Sequence, residues 1–432
     1  MRPLGEYDSK RLLKAHAKRL CGLDLPIQVA QYRLGDDFGD VVAANPWMRE
    51  TKLVVKPDCL FGKRGKNDLV GLNLDVPGAR AFVEARAGKV IKMGPAEGAI
   101  DTFVIEPFVP HAEEYYLSLG TVREGTIVRF SDAGGVEIEE NWDRVKDVTV
   151  PTGAAATPER LAPLLATLPV ETRDAVAEFI GAAFAVYEAL DMTLLEMNPF
   201  TIDPRSGKPF PLDMRGELDD SAAFRSAKLW LGAEFPKPFG RSDLPEEAKV
   251  KAMDEATGAS LKLSILNPRG RVWTMVAGGG ASVIYADTVG DLGAAGELGN
   301  YAEYSGGPNA DETYRYAKIL LAAATAHPDG RARALIVGGG IANFTDVAAT
   351  FKGIIRALTE AKDDLIAAHM RIFVRRGGPN YKLGLQQMRD AGDKVGVPVE
   401  VYGPEESMTG ICKRAIQYIQ EDDKNRLAQT KA

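Results

Sequence analysis

Three times in the second half of this 432-residue chain, an apolar strand-like run ends in a glycine pair or triplet and passes into helix-like sequence. The runs are VWTMVAGGGAS from Val272, ALIVGGGIANFT from Ala334 and RIFVRRGGPN from Arg371. Strand, glycine turn and helix in repetition predict a doubly wound parallel sheet, because parallel neighbours need a crossover and a helix supplies it. VPVEVYG, Val397 to Gly403, adds another strand. Ligands of such sheets lie beyond the carboxyl ends of the strands. The length exceeds what one core can serve, so two or three domains are expected. The proline-rich stretch Glu234 to Glu247 (EFPKPFGRSDLPEE) reads as the linker between the halves.

The first half has a different rhythm. Leu12, Leu13, Ala17 and Leu20 at helical spacing predict a helix from Ser9 to Leu20. LVVKPD (Leu53 to Asp58) reads as a strand that returns at Leu69 to Leu74, a hairpin with a basic, mobile tip. FVIEPFVP (Phe103 to Pro110) is strand-like, but its two prolines predict an edge strand or a hinge between lobes. YYLSLGTV and TIVRFSD form a pair turning at Glu124-Gly125. Thr157 caps a helix from Pro158 to Leu190 that breaks near Pro169. LLEMNPFTIDPRSGKPFPLDMRGELD then predicts a hairpin with Asn198 and Asp213 on neighbouring strands, and the polar segment from Glu421 to Ala432 is expected to fray.

Charge narrows the function. With 53 Lys and Arg against 60 Asp and Glu the net charge is −7, which excludes nucleic-acid binding by broad attraction, so any anionic ligand must meet a local site. Cys21, Cys59 and Cys412 lie far apart without CxxC spacing, which fits a reducing cytoplasm rather than a disulfide or zinc framework. The charged N-terminus and the absence of a long apolar run predict neither secretion nor a membrane span.

No GxxxxGK[ST] loop appears, and Val283 interrupts GxGxxG after Gly278 and Gly280. GxSxG and HExxH are absent too. What remains is a conjunction. Lys56, Lys63, Arg64 and Lys66, with Gly65 permitting close approach, can clamp polyphosphate, or else form a solvated loop. Glu106, Pro107, Phe108 and Val109, followed by Glu114, offer freed backbone groups for a base edge and a carboxylate for ribose, or an ordinary strand end. Asn198 and Asp213 are hard oxygen ligands of the kind that share magnesium with phosphate, or hairpin turn residues. Together these parts read as an ATP-grasp type of nucleotide site. In the second half, Gly338-Gly339-Gly340 ends a strand and IANFT opens a helix, so free amides with Asn343 and Thr345 can hold an anion. Arg375-Arg376 adds a cation, and Glu303-Tyr304-Ser305-Gly306-Gly307 adds a glycine loop with a hydroxyl. Helix–strand packing would explain any one of these glycine loops; three on one sheet edge favour a small anionic ligand.

These residues carry a family resemblance. LVVKPDCLFGKRGK, FVIEPFVPHAEEYY, LLEMNPF, SLKLSILNPRGRVWTMVAGGGASVIYADT, GGGIANFTDVAATFKGIIRAL and IFVRRGGPNY resemble the synthetase-type subunit of the ATP-citrate lyase family, over about Leu12 to Ile419. That family is similar in turn to the β subunit of succinyl-CoA synthetase. The resemblance implies an α/β chain: an ATP-grasp fold of two subdomains (1–16 plus 110–240, and 17–109), a flavodoxin-like citrate-binding domain (241–423) and a polar tail (424–432). By position it implies ATP contacts at Lys56, Lys63, Arg64, Gly65, Glu106, Pro107, Phe108, Val109 and Glu114, with Mg2+ at Asn198 and Asp213. It implies a citrate shell of Ser305, Gly306, Asn343, Phe344, Thr345 and Arg376, and a metal-associated turn at Asp254, Thr257 and Ala259. Lys63 stands at a family arginine and Thr257 at a family serine. The implied chemistry takes ATP, citrate and CoA through citryl phosphate and citryl-CoA to acetyl-CoA and oxaloacetate. The phosphorylated histidine, the CoA site and the cleaving domain belong to a partner subunit in a hetero-oligomer, and this chain itself holds no catalytic nucleophile. Rival readings are the large subunit of a citryl-CoA synthetase, a succinate-specific ligase and a non-catalytic citrate or nucleotide sensor.

Overall fold

The computed structural model describes residues 2–62, 64–94, 96–135, 138, 142–241 and 244–430. They form two compact units, Met1–Ser242 and Asp243–Ala432.

The first unit holds two principal sheets. The larger runs in the order Arg2–Pro3, Met214–Leu218, Met192–Asp203, Tyr115–Val122, Gly125–Ser131 and Lys146–Pro151, with Lys208–Pro211 paired to Met192–Asp203. Leu117, Leu119, Val128, Phe130, Leu195 and Met197 from these strands share one core with the helices Glu6–Cys21 and Val170–Ala189. The helical run from Pro158 does break at Pro169, into Pro158–Leu165 and Val170–Ala189. The smaller sheet runs Ala30–Arg33, Thr102–Pro107, Leu53–Pro57, Gly71–Leu74 over a separate core.

Thr102–Pro107 is therefore an inner strand, not the edge expected from its prolines. Pro107 is its last residue, so the missing N–H interrupts nothing within the ladder, and Phe108 N–H resumes bonding to the Lys52 carbonyl at 2.7 Å. The first helix also differs, starting at Glu6 rather than Ser9. Gly5 offers no side-chain cap. The cap arrives from the strand end instead: the Asp58 carboxylate accepts the Glu6 N–H at 2.5 Å and the Tyr7 N–H at 3.3 Å. Leu20, counted on the apolar face, is 39% exposed.

The second unit is a six-stranded sheet in the order Ser260–Ile265, Asn300–Ser305, Val272–Ala277, Arg333–Gly339, Met370–Arg375, Val399–Tyr402. Its first pair is antiparallel and the others parallel. Helices Ala310–Thr325, Val347–Glu360 and Tyr381–Val395 bury their apolar residues in one core, and Gly279–Val289 and Gly410–Thr430 in another. This is the doubly wound arrangement that the repeated strand–glycine–helix pattern predicts. The expected linker is shorter than drawn. A helix starts at Pro245, and Glu247 accepts the Leu244 and Ile265 N–H groups at 3.2 and 2.7 Å. The chain from Glu421 does not fray either: it continues the last helix to Thr430, because Asp423 pairs with Arg271 at 2.8 Å and Asp422 accepts the Ala332 N–H at 3.0 Å. Among the described residues no helix is long and apolar enough to cross a membrane.

The glycine triplet 338–340 serves packing at two positions. A Cβ on Gly338 would stand 2.5 Å from the Tyr285 ring, and one on Gly339 would stand 2.7 Å from Arg376 Nη1, whereas nothing lies within 4 Å at Gly340. Gly338→Ala should therefore cost about 1–3 kcal/mol by overpacking. Gly340→Ala should be close to neutral, and equal effects of the two in denaturant unfolding would refute this account.

Candidate functional site

In the first unit the candidate residues converge on a buried ion network. Lys56, on the strand Leu53–Pro57, places Nζ 2.7 Å from Glu6 Oε1 and 2.8 Å from Glu106 Oε1, and donates to the Leu212 carbonyl at 2.5 Å. Lys10 reaches the same two carboxylates at 2.8 and 2.5 Å. Arg64 bridges Glu6 at 2.7 Å and Asp213 at 2.6 Å while donating to the Pro57 carbonyl at 2.9 Å. Burial alone would depress the Lys56 ammonium, but Glu106, Glu6 and Asp213 outweigh it and hold its pKa above the ordinary lysine range. Burial would likewise raise Glu6, yet Lys10, Lys56 and Arg64 keep it well below the usual carboxylate range. Glu6 and Lys56 are therefore both charged at neutral pH.

The hairpin tip expected to be mobile is divided. Arg64 turns inward and is buried, Gly65 and Lys66 stay exposed, and Lys63 lies outside the described residues. Nothing lies within 4 Å of where a Gly65 Cβ would stand, so a ligand can approach the backbone there. Glu106 departs from expectation, since its carboxylate is spent on Lys10 and Lys56 instead of facing a ribose. Glu114 remains available for that role, with its side chain 41% exposed and His111 Nε2 at 3.3 Å. Pro107 and Val109 are buried and Phe108 half-buried beside it. Asn198 and Asp213 do meet, through a 3.0 Å bond from the Asn198 N–H to the Asp213 carbonyl. Asp213, however, occupies the bend between Lys208–Pro211 and Met214–Leu218 rather than a strand. Its side chain is 46% exposed, and Asn198 Oδ1 accepts the Gly135 N–H at 2.8 Å.

Glu6 and Lys10 were missed by the motif reading. The signal was present: positions 6, 10, 13 and 17 form a helical stripe on which a Glu–Lys pair continues the apolar residues Leu13 and Ala17, and all four are buried.

In the second unit, Ser305, the loop after Gly340 and Arg376 lie at the carboxyl ends of three parallel strands, of which Arg333–Gly339 and Met370–Arg375 are neighbours and Asn300–Ser305 is separated from them by Val272–Ala277. Arg376 is buried and donates to the Gly340 carbonyl at 2.7 Å. Burial raises the Tyr304 phenol, against the lowering by Arg376 beside it. Gly306 and Gly307 adopt φ of 74° and 72°, and a Cβ on Gly307 would be 3.9 Å from the Phe344 ring, so the two loops adjoin. IANFT does not open a helix as expected. Ile341 bridges Gly377 and the Ala342 N–H bonds to the Gly377 carbonyl at 3.0 Å, which holds the segment extended until Asp346 caps the helix at Val347. Asn343 and Phe344 are exposed and Thr345 half-buried on this loop, with Phe344 at 78%. Arg375 is no free cation: it clamps the carbonyls of Gly339, Pro404 and Glu406 at 2.9, 3.2 and 3.1 Å.

The turn at Asp254, Thr257 and Ala259 is closed internally. Asp254 accepts the Leu261 N–H at 2.8 Å and Lys262 Nζ at 2.5 Å, and Thr257 Oγ1 donates to the Ala259 carbonyl at 3.3 Å. Burial pushes the Asp254 carboxyl up, but Lys262 and the Leu261 amide hold it below its ordinary value. Among the described residues no group of three or more His, Cys, Asp or Glu is placed to hold a metal ion.

An ATP-grasp unit followed by a doubly wound unit with an anion-receptive edge defines the class of protein, and comparison with known proteins agrees. A family model for the ATP-citrate synthase ATP-grasp domain matches residues 1–230, and one for the ATP citrate lyase citrate-binding domain matches residues 241–418. The chain is 60% identical over 414 residues to ATP-citrate synthase alpha chain protein 2 of Arabidopsis thaliana, covering 96% of this chain and 97% of that one. It is 42% identical to human ATP-citrate synthase, across 96% of this chain but 38% of the human protein. Among solved structures, the ATP citrate lyase from Methanothrix soehngenii in complex with citrate and coenzyme A superposes with a TM-score of 0.84 at 43% identity, covering 96% of this chain and 99% of that one. The chain belongs to the ATP-citrate synthase family, also called ATP-citrate lyase.

The network makes a pH-dependent prediction. Glu6→Gln leaves buried cations short of a partner and should cost about 3–5 kcal/mol. Because the native Glu6 pKa is depressed, its contribution is complete above the ordinary value of 4.5 and is lost as pH falls towards the native value. The stability gap between wild type and Glu6→Gln, followed by urea unfolding, should thus narrow below pH 4.5. A gap that is constant with pH would contradict the assignment.

Proposed function

We propose that this chain is the nucleotide- and citrate-binding subunit of an ATP-citrate lyase. With a partner subunit it would convert citrate, ATP and CoA to acetyl-CoA, oxaloacetate, ADP and phosphate. The observation that carries the reading is the convergence of Lys56, Arg64, Asn198 and Asp213 in the first unit. Lys56 and Arg64 are preset as cations for the nucleotide phosphates, the backbone at Gly65 is open to close approach, and Glu114 is placed for the ribose hydroxyls. Pro107 to Val109 form the base-side wall.

The half-exposed Asp213 carboxylate and the Asn198 amide oxygen are hard donors of the kind Mg2+ prefers, so the residues present fit the ion. Mg2+ there would neutralise phosphate charge. Asp254, Thr257 and Ala259 are a poorer second site, since Lys262 and the Leu261 amide already use the Asp254 oxygens.

In the second unit, Arg376, Asn343 and Thr345, with the amides around Ser305, Gly306 and Phe344, would hold the carboxylates of citrate. The guanidinium supplies the charge that an acidic protein otherwise lacks for a trianion. The histidine that carries the phosphoryl group, most of the CoA site and the cleaving domain are assigned to the partner subunit; the greater length of the human relative supports such a division. The resemblance implies domains of 1–16 plus 110–240, 17–109, 241–423 and the tail 424–432, and we propose one change to them. Ala17, Leu23, Leu25 and Ile27 pack in the larger-sheet core, which moves the first seam to after Ile27. A reducing cytoplasm suits the three free cysteines.

CoA-dependent acetyl-CoA formation from citrate by the chain reconstituted with its partner tests the whole reading; citryl-CoA as the final product would favour the synthetase alternative. Arg376→Ala should weaken citrate binding tenfold or more, since a charge-assisted hydrogen bond contributes about 1.5–3 kcal/mol. ADP binding should be unaffected, and calorimetry showing equal loss of both would refute separate sites. Asp213→Asn should abolish transfer of label from γ-labelled ATP to the partner, and retained transfer would remove Asp213 from the metal site.

A further inference from the structure

The citrate-binding edge contains a carboxylate that a trianion site would be expected to avoid. Glu303 lies two residues before Ser305 on the strand Asn300–Ser305, so both side chains leave the same face of the sheet. Glu303 Oε1 accepts the Ser305 hydroxyl at 2.7 Å, and Oε2 lies 3.4 Å from the Tyr301 hydroxyl as its acceptor. Its oxygens stand 2.9 and 3.1 Å from where a Gly279 Cβ would be, against the first turn of the helix Gly279–Val289. The helix N-terminus offsets the negative charge there, and the glycine leaves it room.

An ionised carboxylate can only accept hydrogen bonds. The Ser305 proton is therefore committed to Glu303, and the lone pairs of Ser305 Oγ are what the hydroxyl has left to offer. Fully ionised citrate has many acceptors and a single donor, its 3-hydroxyl. A serine held as an acceptor suits that hydroxyl and gains nothing from a carboxylate.

We infer that Glu303 is a positioning residue that fixes Ser305 as a hydrogen-bond acceptor for the citrate hydroxyl, and that this pair lets the site distinguish citrate from tricarboxylates that lack the hydroxyl. The inference rests on the citrate assignment proposed above. It accounts for a carboxylate at an anion site: Glu303 costs some general affinity and gives selectivity, because a site polar group left without its partner penalises the analogue.

The test compares citrate with tricarballylate, which has the same three carboxylates and hydrogen in place of the hydroxyl. Each is titrated by calorimetry into the full chain and into Ser305→Ala and Glu303→Gln. Wild type should bind citrate at least about tenfold more tightly, equivalent to about 1.4 kcal/mol. Ser305→Ala should bring the two within about twofold by weakening citrate alone, as expected for one lost hydrogen bond. Glu303→Gln should also erase the preference while strengthening tricarballylate, because the Gln amide can donate to Ser305 and the negative charge is gone. A citrate preference that survives Glu303→Gln but not Ser305→Ala would overturn the positioning role, and equal wild-type affinities would overturn the selectivity. Failure of wild type to bind either compound would instead sink the citrate assignment itself. A residue with a merely structural role would weaken both ligands together and leave their ratio unchanged.

Discussion

The buried carboxylate of Glu6 is the contact on which the nucleotide-facing half depends. Three cations from separate stretches of the chain, Lys10 on the first helix, Lys56 on a strand and Arg64 on the following turn, all lie within 2.8 Å of it. Without an anion among them they would repel one another in a region where water cannot screen them. Glu6 is itself placed by Asp58, whose carboxylate caps the helix on which Glu6 is the first residue. The order of dependence runs from a strand-end aspartate to a helix start, from the helix start to a carboxylate, and from that carboxylate to the lysine and arginine that would meet phosphate. Buried charge is a poor source of net stability. Its retention here is better explained by what it orients than by what it contributes to folding.

The second unit meets an anion by different means. The cation proposed for it is Arg376, aligned by the Gly340 carbonyl, while Arg375 is consumed as a clamp on three other carbonyls. The remaining surface is backbone from two glycine-bearing loops, one after Ser305 and one after Gly340. A phosphate tail presents concentrated charge and suits a preset cluster of cations. A tricarboxylate spreads its charge over a branched skeleton, and a curved wall of amides and hydroxyls can match that shape where a cluster of lysines would not.

Much of this architecture was legible because it rests on local signals. A glycine after each apolar run marks a strand end, proline at 169 divides a helix, and a two-residue turn closes a hairpin, at Arg123-Glu124, one residue before the expected Glu124-Gly125. Whatever depended on partners distant in sequence was not legible. Asp58 caps a helix 52 residues away, so no N-cap residue marks Glu6 as the start. Thr102–Pro107 reads as an edge because proline statistics ignore where in the strand the proline falls. IANFT has the composition of a helix start, but the bridge between Ile341 and Gly377 claims its backbone first. Arg64 looks like a solvated loop cation because the carboxylates that draw it inward come from residues 6 and 213.

The same distinction bears on the candidate sites. Lys56, Arg64, Asn198, Asp213 and Arg376 were visible as chemistry-bearing types at strand ends and turns, whereas Glu6, Lys10 and Glu303 looked like ordinary helix and strand charges. The first group is suited to touch ligands; in the second, Glu6 holds Lys56 and Arg64, Lys10 holds Glu6, and Glu303 holds Ser305. A residue that only fixes a neighbour's protonation or direction needs no unusual sequence context, since any carboxylate that reaches will serve. It becomes recognisable when its partners are all accounted for, as Glu303 is by Ser305, Tyr301 and the space over Gly279. In an acidic protein that handles two anions, carboxylates can be kept beside binding groups as long as each is occupied by a neighbour, because an occupied carboxylate directs its partner while repelling the ligand less.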